Sequence, residues 1–207
     1  MNASVARGED GAFIVIWALL LVGLMAMLAI VLDLSALRQD RRANRSVADA
    51  AATAGAFALG TGTPLAACDQ TWTYVATNLG FDPTTDPQRS PCELGPSPFS
   101  SSSCTPDSTS EVSKTVGAYT ISIKSPIAND DPHFMRASSI GGDKLQAYFA
   151  PTDGIDPCGR VGVRVQQQRL PTFGRVLDPS AKLTDSHSVA RYRPATATAT
   201  ATSVLIR

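Results

Sequence analysis

Histidine is nearly missing from this chain: His133 and His187 are the two among 207 residues. The sequence also lacks H-E-x-x-H, a G-x-S-x-G elbow, a P-loop and a dinucleotide fingerprint, the short signatures of metalloprotease, hydrolase and nucleotide chemistry. A Ser/His/Asp arrangement is recognised by geometry rather than by neighbouring positions in sequence. His133, in Asn129–His133, and His187, in Asp185–Ser188, are read as loop residues, and no catalytic residue is assigned. Asp130, Asp131 and His133 carry donors that a hard cation takes, but acidic residues beside a proline such as Pro132 are turn composition. No metal, no cofactor and no enzymatic activity are expected.

A surplus of either charge is absent too, since 18 basic residues balance 18 acidic ones. A balanced total offers no electrostatic case for nucleic acid, and none is expected as a partner. Cysteine is sparse. Cys68, Cys92, Cys104 and Cys158 form no C-x-x-C pair, which argues against a zinc site and a redox motif. An even set of widely spaced cysteines reads as disulfides, which persist in oxidising compartments.

Charge is missing altogether from Ala12–Leu32, and proline is missing before Pro64. The uncharged run is long enough, at about 1.5 Å per residue, to cross roughly 30 Å of hydrocarbon. A lone span must pair every backbone group internally, so it is a helix. The run is longer than the roughly 7–15 residues of a signal-peptide core, and the small-residue triplets Ala48–Ala50 and Ala54–Ala56 lie well beyond it. An uncleaved anchor is expected, with cytoplasmic membrane lipid as its partner.

Helical spacing continues past Asp33 through Leu34, Leu37, Val47, Ala50, Ala51, Ala54, Phe57 and Ala58, and stops at Gly60–Pro64. One long helix is therefore expected, half in the membrane and half amphipathic. Ala43, Val47, Ala50, Ala51, Ala54 and Gly55 line the second half with small side chains. Small residues let another backbone approach closely. The same stripe also suits packing against the protein's own domain. Arg38, Arg41, Arg42 and Arg45 abut the span. They can meet anionic headgroups at about 1 kcal/mol each, or form a solvated face. The positive-inside rule would put this side in the cytoplasm, whereas the cysteines put it outside. The cysteines, together with the resemblance below, decide the expectation.

About 145 residues remain for one modest domain. Pro64–Leu79 reads as a short helix with Leu65, Cys68, Trp72, Val75, Ala76 and Leu79 on one face and Gly80 as its cap. Phe81–Val112 is rich in Pro and Ser and reads as loop. Of the three possible cysteine pairings, the nested one is expected: Cys92–Cys104 closing the loop, with Cys68–Cys158 outside it. Period-two alternation at Tyr119–Lys124, Leu145–Phe149 and Val161–Val165 reads as strands with one buried face. Pro171–Leu177 reads as a helical turn packing Phe173, Val176 and Leu177, and Ser186–Tyr192 as a further strand. The Ala/Thr-rich end is a final strand or a tail. The expected fold class is α+β: a long N-terminal membrane-spanning helix, then a small antiparallel β-rich domain with one short helix. The divisions fall at residues 1–60, 61–194 and 195–207.

Arg7-Gly8-Glu9-Asp10-Gly11-Ala12, Val31-Leu32-Asp33-Leu34, Arg41-Arg42 and Val47-Ala48-Asp49-Ala50-Ala51-Ala52-Thr53-Ala54-Gly55-Ala56 together resemble the TadE/TadG-like proteins of tight-adherence (Flp-type) pilus assembly. The resemblance covers about a quarter of the chain. It implies a single-pass protein of the bacterial cell membrane with an extracytoplasmic C-terminal domain. The implied role is structural or in assembly, with other pilus-assembly or pilin-like proteins as partners. The competing expectation is an anchored binding or adhesion module displaying the Cys92–Cys104 loop. Two family features are missing. Prepilin-like members carry Glu five residues after the processed Gly, where this chain has Ile16. The D-x-S-x-S metal motif of longer members is broken at Asp33-Leu34-Ser35-Ala36-Leu37.

Overall fold

The structure, a computed structural model, describes residues 9–86, 88–93, 111–127, 131, 134, 159–176, 179–193 and 202–206. Helix α1 runs unbroken from Glu9 to Thr61. Its length follows from the absence of proline and from the abundance of Ala, Leu and Arg, all strong helix formers. The chain divides into two compact units, one holding residues up to Asp40 with Arg169–Lys182, the other Arg41–Gln168 with Leu183–Arg207. The division between the two units falls inside α1.

In the second unit α1 is followed by α2, Pro64–Leu79, with the expected bounds. Thr63 caps it, its side chain accepting from the Ala66 N–H at 3.2 Å, and Pro64 takes the first turn, where a missing N–H costs nothing. Gly80 ends it at φ 78°, a conformation that disfavours any residue with a Cβ, and the next N–H, of Phe81, reaches back to Ala76 O at 2.7 Å.

Among the described residues five strands follow in the order β1 (Glu111–Val116), β2 (Tyr119–Lys124), β3 (Arg160–Arg169), β4 (Lys182–Arg193) and β5 (Thr202–Ile206), each hydrogen-bonded to the next. The pairs β1/β2, β2/β3 and β4/β5 are antiparallel. The class is therefore α+β, as expected. Strand β1 begins inside the expected loop, at Glu111 and Val112, and runs on through residues to which the sequence pattern assigns no element; it pairs Glu111 with Lys124 and Val116 with Tyr119 across a turn at Gly117 (φ 58°). The Ala/Thr-rich end resolves into a strand at Thr202–Ile206, paired with Val189–Arg193. The expected strand Leu145–Phe149 lies outside the described residues.

One core joins both helices to the sheet. Ala48, Ala51, Ala52 and Ala56 of α1, Cys68, Trp72 and Val75 of α2, and Ile121, Ile123, Val161, Val163 and Val165 of the sheet are all but inaccessible. Alanine dominates the α1 face because the contact is close. A Cβ on Gly55 would collide with Thr71 Oγ1 and stand 3.0 Å from Val161 Cγ1. Trp72 fills the centre and donates its indole N–H to Gln88 O at 3.0 Å. Leu65, expected on this buried face, is instead 41% exposed at the first turn of α2.

The second face of the sheet is also covered, which alternation alone did not foresee. Ile127, Phe134 and Val189 form a smaller cluster there, and Gly162 leaves room for Ile127 and Phe134, since the Ile127 Cδ1 methyl and the Phe134 ring would each stand 2.6 Å from an added Cβ. Lys124 and Asp131 form a buried ion pair at 2.6 Å on the same side.

The disulfide corrects the nested pairing. Cys68 bonds Cys92, 24 positions further along the sequence, with their Cα atoms 6.0 Å apart. The chain reverses after Gly80, and the Trp72–Gln88 hydrogen bond helps carry the 3₁₀ turn Pro91–Glu93 back to the core face of α2. Cys92 is therefore not available to Cys104, nor Cys68 to Cys158. Cys104 and Cys158 themselves lie outside the described residues.

Candidate membrane anchor

Every large apolar side chain from Phe13 to Leu32 is between 49% and 72% exposed. Among the described residues this is the helix long and apolar enough to cross a membrane, and none of its apolar window is buried in the protein. A core helix of a soluble protein would bury one stripe; this one buries none and lacks a polar face. Trp17 is 57% exposed and stacks edge-on against Phe13, with ring centroids 6.0 Å apart. Such surface is stable in lipid, not in water.

Asp33 ends the uncharged run, and its carboxylate is fully used. Oδ1 accepts from the N–H groups of Thr172 (3.0 Å) and Phe173 (3.2 Å), and Oδ2 from Phe173 (3.1 Å) and Gly174 (2.5 Å). It thus caps the 3₁₀ turn Gly174–Val176 as an N-cap residue would, but from another part of the chain. The hydrogen bond from Gly174, with those from Phe173 and Thr172 and the charge of Arg169, holds the Asp33 carboxyl below its usual range. Gly174 permits this approach, since a Cβ there would stand 2.9 Å from Oδ2. Asp40, two turns further along α1, pairs with Arg169 Nη1 at 2.5 Å. Two carboxylates on one helix face therefore hold both ends of Arg169–Gly174. Phe173, expected to pack inward, is 56% exposed, and Leu170 is 50% exposed. The side chains of Val176 and Leu177 fall outside the described residues.

The small-residue stripe is split by the fold. Val47, Ala51 and Gly55 are buried against the chain's own sheet and α2, whereas Ala43 and Ala50 are exposed and Ala54 is half-buried beside them. Phe57, on the Ala50 side, is 57% exposed. Asn44, which the pattern did not single out, is buried where α1 meets the sheet and donates to Gln167 Oε1 at 2.8 Å. Arg38, Arg41, Arg42 and Arg45 are all exposed.

The residues weighed for chemistry are occupied or lie elsewhere. His187 is in strand β4, not in a loop. Burial and the neighbouring Arg164, Arg45 and Arg41 charges push its imidazole pKa down, against the pull of Asp185. Burial pushes Asp185 up, but a bidentate contact with Arg164, at 3.0 and 2.5 Å, outweighs it and holds the carboxyl low. Asp131 is held by Lys124 and caps Phe134 N–H at 3.1 Å; Asp130 and His133 lie outside the described residues. Among the described residues no group of three His, Cys, Asp or Glu side chains could hold a metal.

Residues 11–58 match the family model described as putative Flp pilus-assembly TadE/G-like. The matched segment is the exposed apolar half of α1 together with most of its buried continuation, and the family suggests a role in Flp pilus assembly. No curated protein and no solved structure gives a significant match.

Proposed function

We propose that this chain is a single-pass membrane component of Flp-type pilus assembly in a bacterial cell, with everything after Asp33 outside the cytoplasm, acting through contacts rather than catalysis. The observation that carries the reading is the TadE/G-like match over residues 11–58, which falls on the exposed span and its continuation. The Cys68–Cys92 bond supports the outward orientation, because such a bond persists in an oxidising space. It outweighs the arginines after the span, which the positive-inside rule would keep in the cytoplasm. Lipid holds the span. The exposed flank Ala43, Ala50 and Phe57 of α1 is the face offered to other pilus-assembly or pilin-like proteins.

The test is deletion of the gene followed by complementation. Loss of sheared surface pili that the wild-type chain restores supports the reading; undiminished piliation contradicts it. Ala43→Leu with Ala50→Leu, exposed changes that leave the core intact, should lower co-purification with assembly proteins. Unchanged co-purification removes that flank from the account.

A further inference from the structure

We infer that the Leu170–Arg175 loop is an interfacial membrane anchor, with Phe173 inserted among the lipid headgroups beside the end of the span. The inference rests on the anchor reading above and adds a second point of lipid contact.

The level of the loop is set by Asp33. In an inserted span the first charged residue after the uncharged run lies at the boundary between hydrocarbon and headgroups. Three consecutive backbone N–H groups, of Thr172, Phe173 and Gly174, are hydrogen-bonded to that one carboxylate at 2.5–3.2 Å. Phe173 is thus held within a side chain's length of the boundary. Asp40 lies seven residues, or about 10 Å, further along the helix, and it holds the other end through Arg169. The segment therefore descends along α1 from Arg169 towards the lipid.

The composition suits that level. Leu170 and Phe173 expose half or more of their surface, while Arg175, also exposed, offers a cation to anionic headgroups. An aromatic ring with a charged neighbour is the pattern of interfacial anchoring. The occupant is lipid rather than protein because the exposed surface is continuous in level with the lipid-facing helix to which the loop is tied.

Full-length protein in dilute proteoliposomes made with shallow-brominated lipid gives the test. Trp17 reports insertion of the span, and buried Trp72 supplies an unquenched background. The double variant Trp17→Phe, Phe173→Trp then places the reporter in the loop. Quenching of wild-type emission together with quenching of the variant supports the inference. A quenched wild type with an unquenched variant overturns it and leaves the anchor standing. An unquenched wild type overturns both. Adding Asp33→Ala should reduce the variant's quenching, and undiminished quenching would overturn the role given to Asp33.

Discussion

From Phe13 to Leu32 helix α1 carries Leu, Ile, Val, Met, Phe and Trp, all about half exposed or more; from Ala48 to Ala56 its inward face is alanine and glycine, buried to 0% at Ala48, Ala51, Ala52 and Ala56. The backbone is the same throughout. Under the proposed function, what differs is the medium each half is built for. Lipid offers no hydrophobic reward for hiding a methyl group, so bulk faces outward. A sheet and a second helix demand close approach, so side chains shrink. Side-chain size separates the inward face of the second half from the apolar surface of the first, and substitutions should separate them as well.

The largest contrast is expected at the centre of the head. Trp72→Ala empties the core and removes a buried hydrogen-bond donor, and should lower head stability by about 3–5 kcal/mol in denaturant titrations of the full chain in micelles. Leu20→Ala, of comparable chemistry but in the span, should leave that transition where it was. Equal losses would mean that the span is part of the folded core. Removing the disulfide by Cys68→Ala with Cys92→Ala should cost about 2–5 kcal/mol. Non-reducing peptide mapping should recover the Cys68–Cys92 link, and a Cys92–Cys104 link would restore the nested pairing.

Overpacking sharpens the comparison. Ala51→Leu should destabilise by about 1–3 kcal/mol, because Ala51 is wholly buried in the core between α1, α2 and the sheet. The same change at exposed Ala43 should fall within about 0.5 kcal/mol of zero, as surface substitutions usually do. Equal effects would erase the distinction drawn between the two sides of the stripe.

The smallest effect is the pH response of the loop. Asp33 is held low in the folded chain, so its contribution is present above the unfolded carboxyl range and is lost as pH falls through the folded value. Amide protection of Phe173 and Gly174, corrected for intrinsic exchange, should persist at neutral pH and vanish in acid. Protection unchanged in acid would show that the carboxylate does not hold them. His187 acts in the same direction: its depressed pKa makes folding less favourable as pH drops below the unfolded imidazole value.

Helix α2 was legible to the residue because Thr63, Pro64 and Gly80 are local punctuation with local causes. The span was legible because a membrane requires a continuous uncharged run. Strand β1 was not, and Lys114 explains why. It stands on the core-facing side between Val112 and Val116, opposite Ile121, and breaks the apolar alternation. Its ammonium lies 5.9 Å from the centre of the Trp72 ring and donates to Arg89 O, which makes the position tolerable. The pairing of Cys68 with Cys92 depends on how the chain reverses after Gly80, and spacing carries no trace of that. The split of the small-residue stripe needed the sheet to say which side of α1 is inside. The ties from Asp33 to Phe173 and Gly174 join positions about 140 apart, and no local pattern announces them.

The central claim is that α1 crosses the membrane once and delivers the disulfide-bonded head to the far side. A paired reporter fused after Arg207 tests it directly: alkaline phosphatase, active only outside the cytoplasm, and a green fluorescent protein that matures only inside. The account predicts phosphatase activity without fluorescence. Fluorescence without phosphatase activity would contradict it.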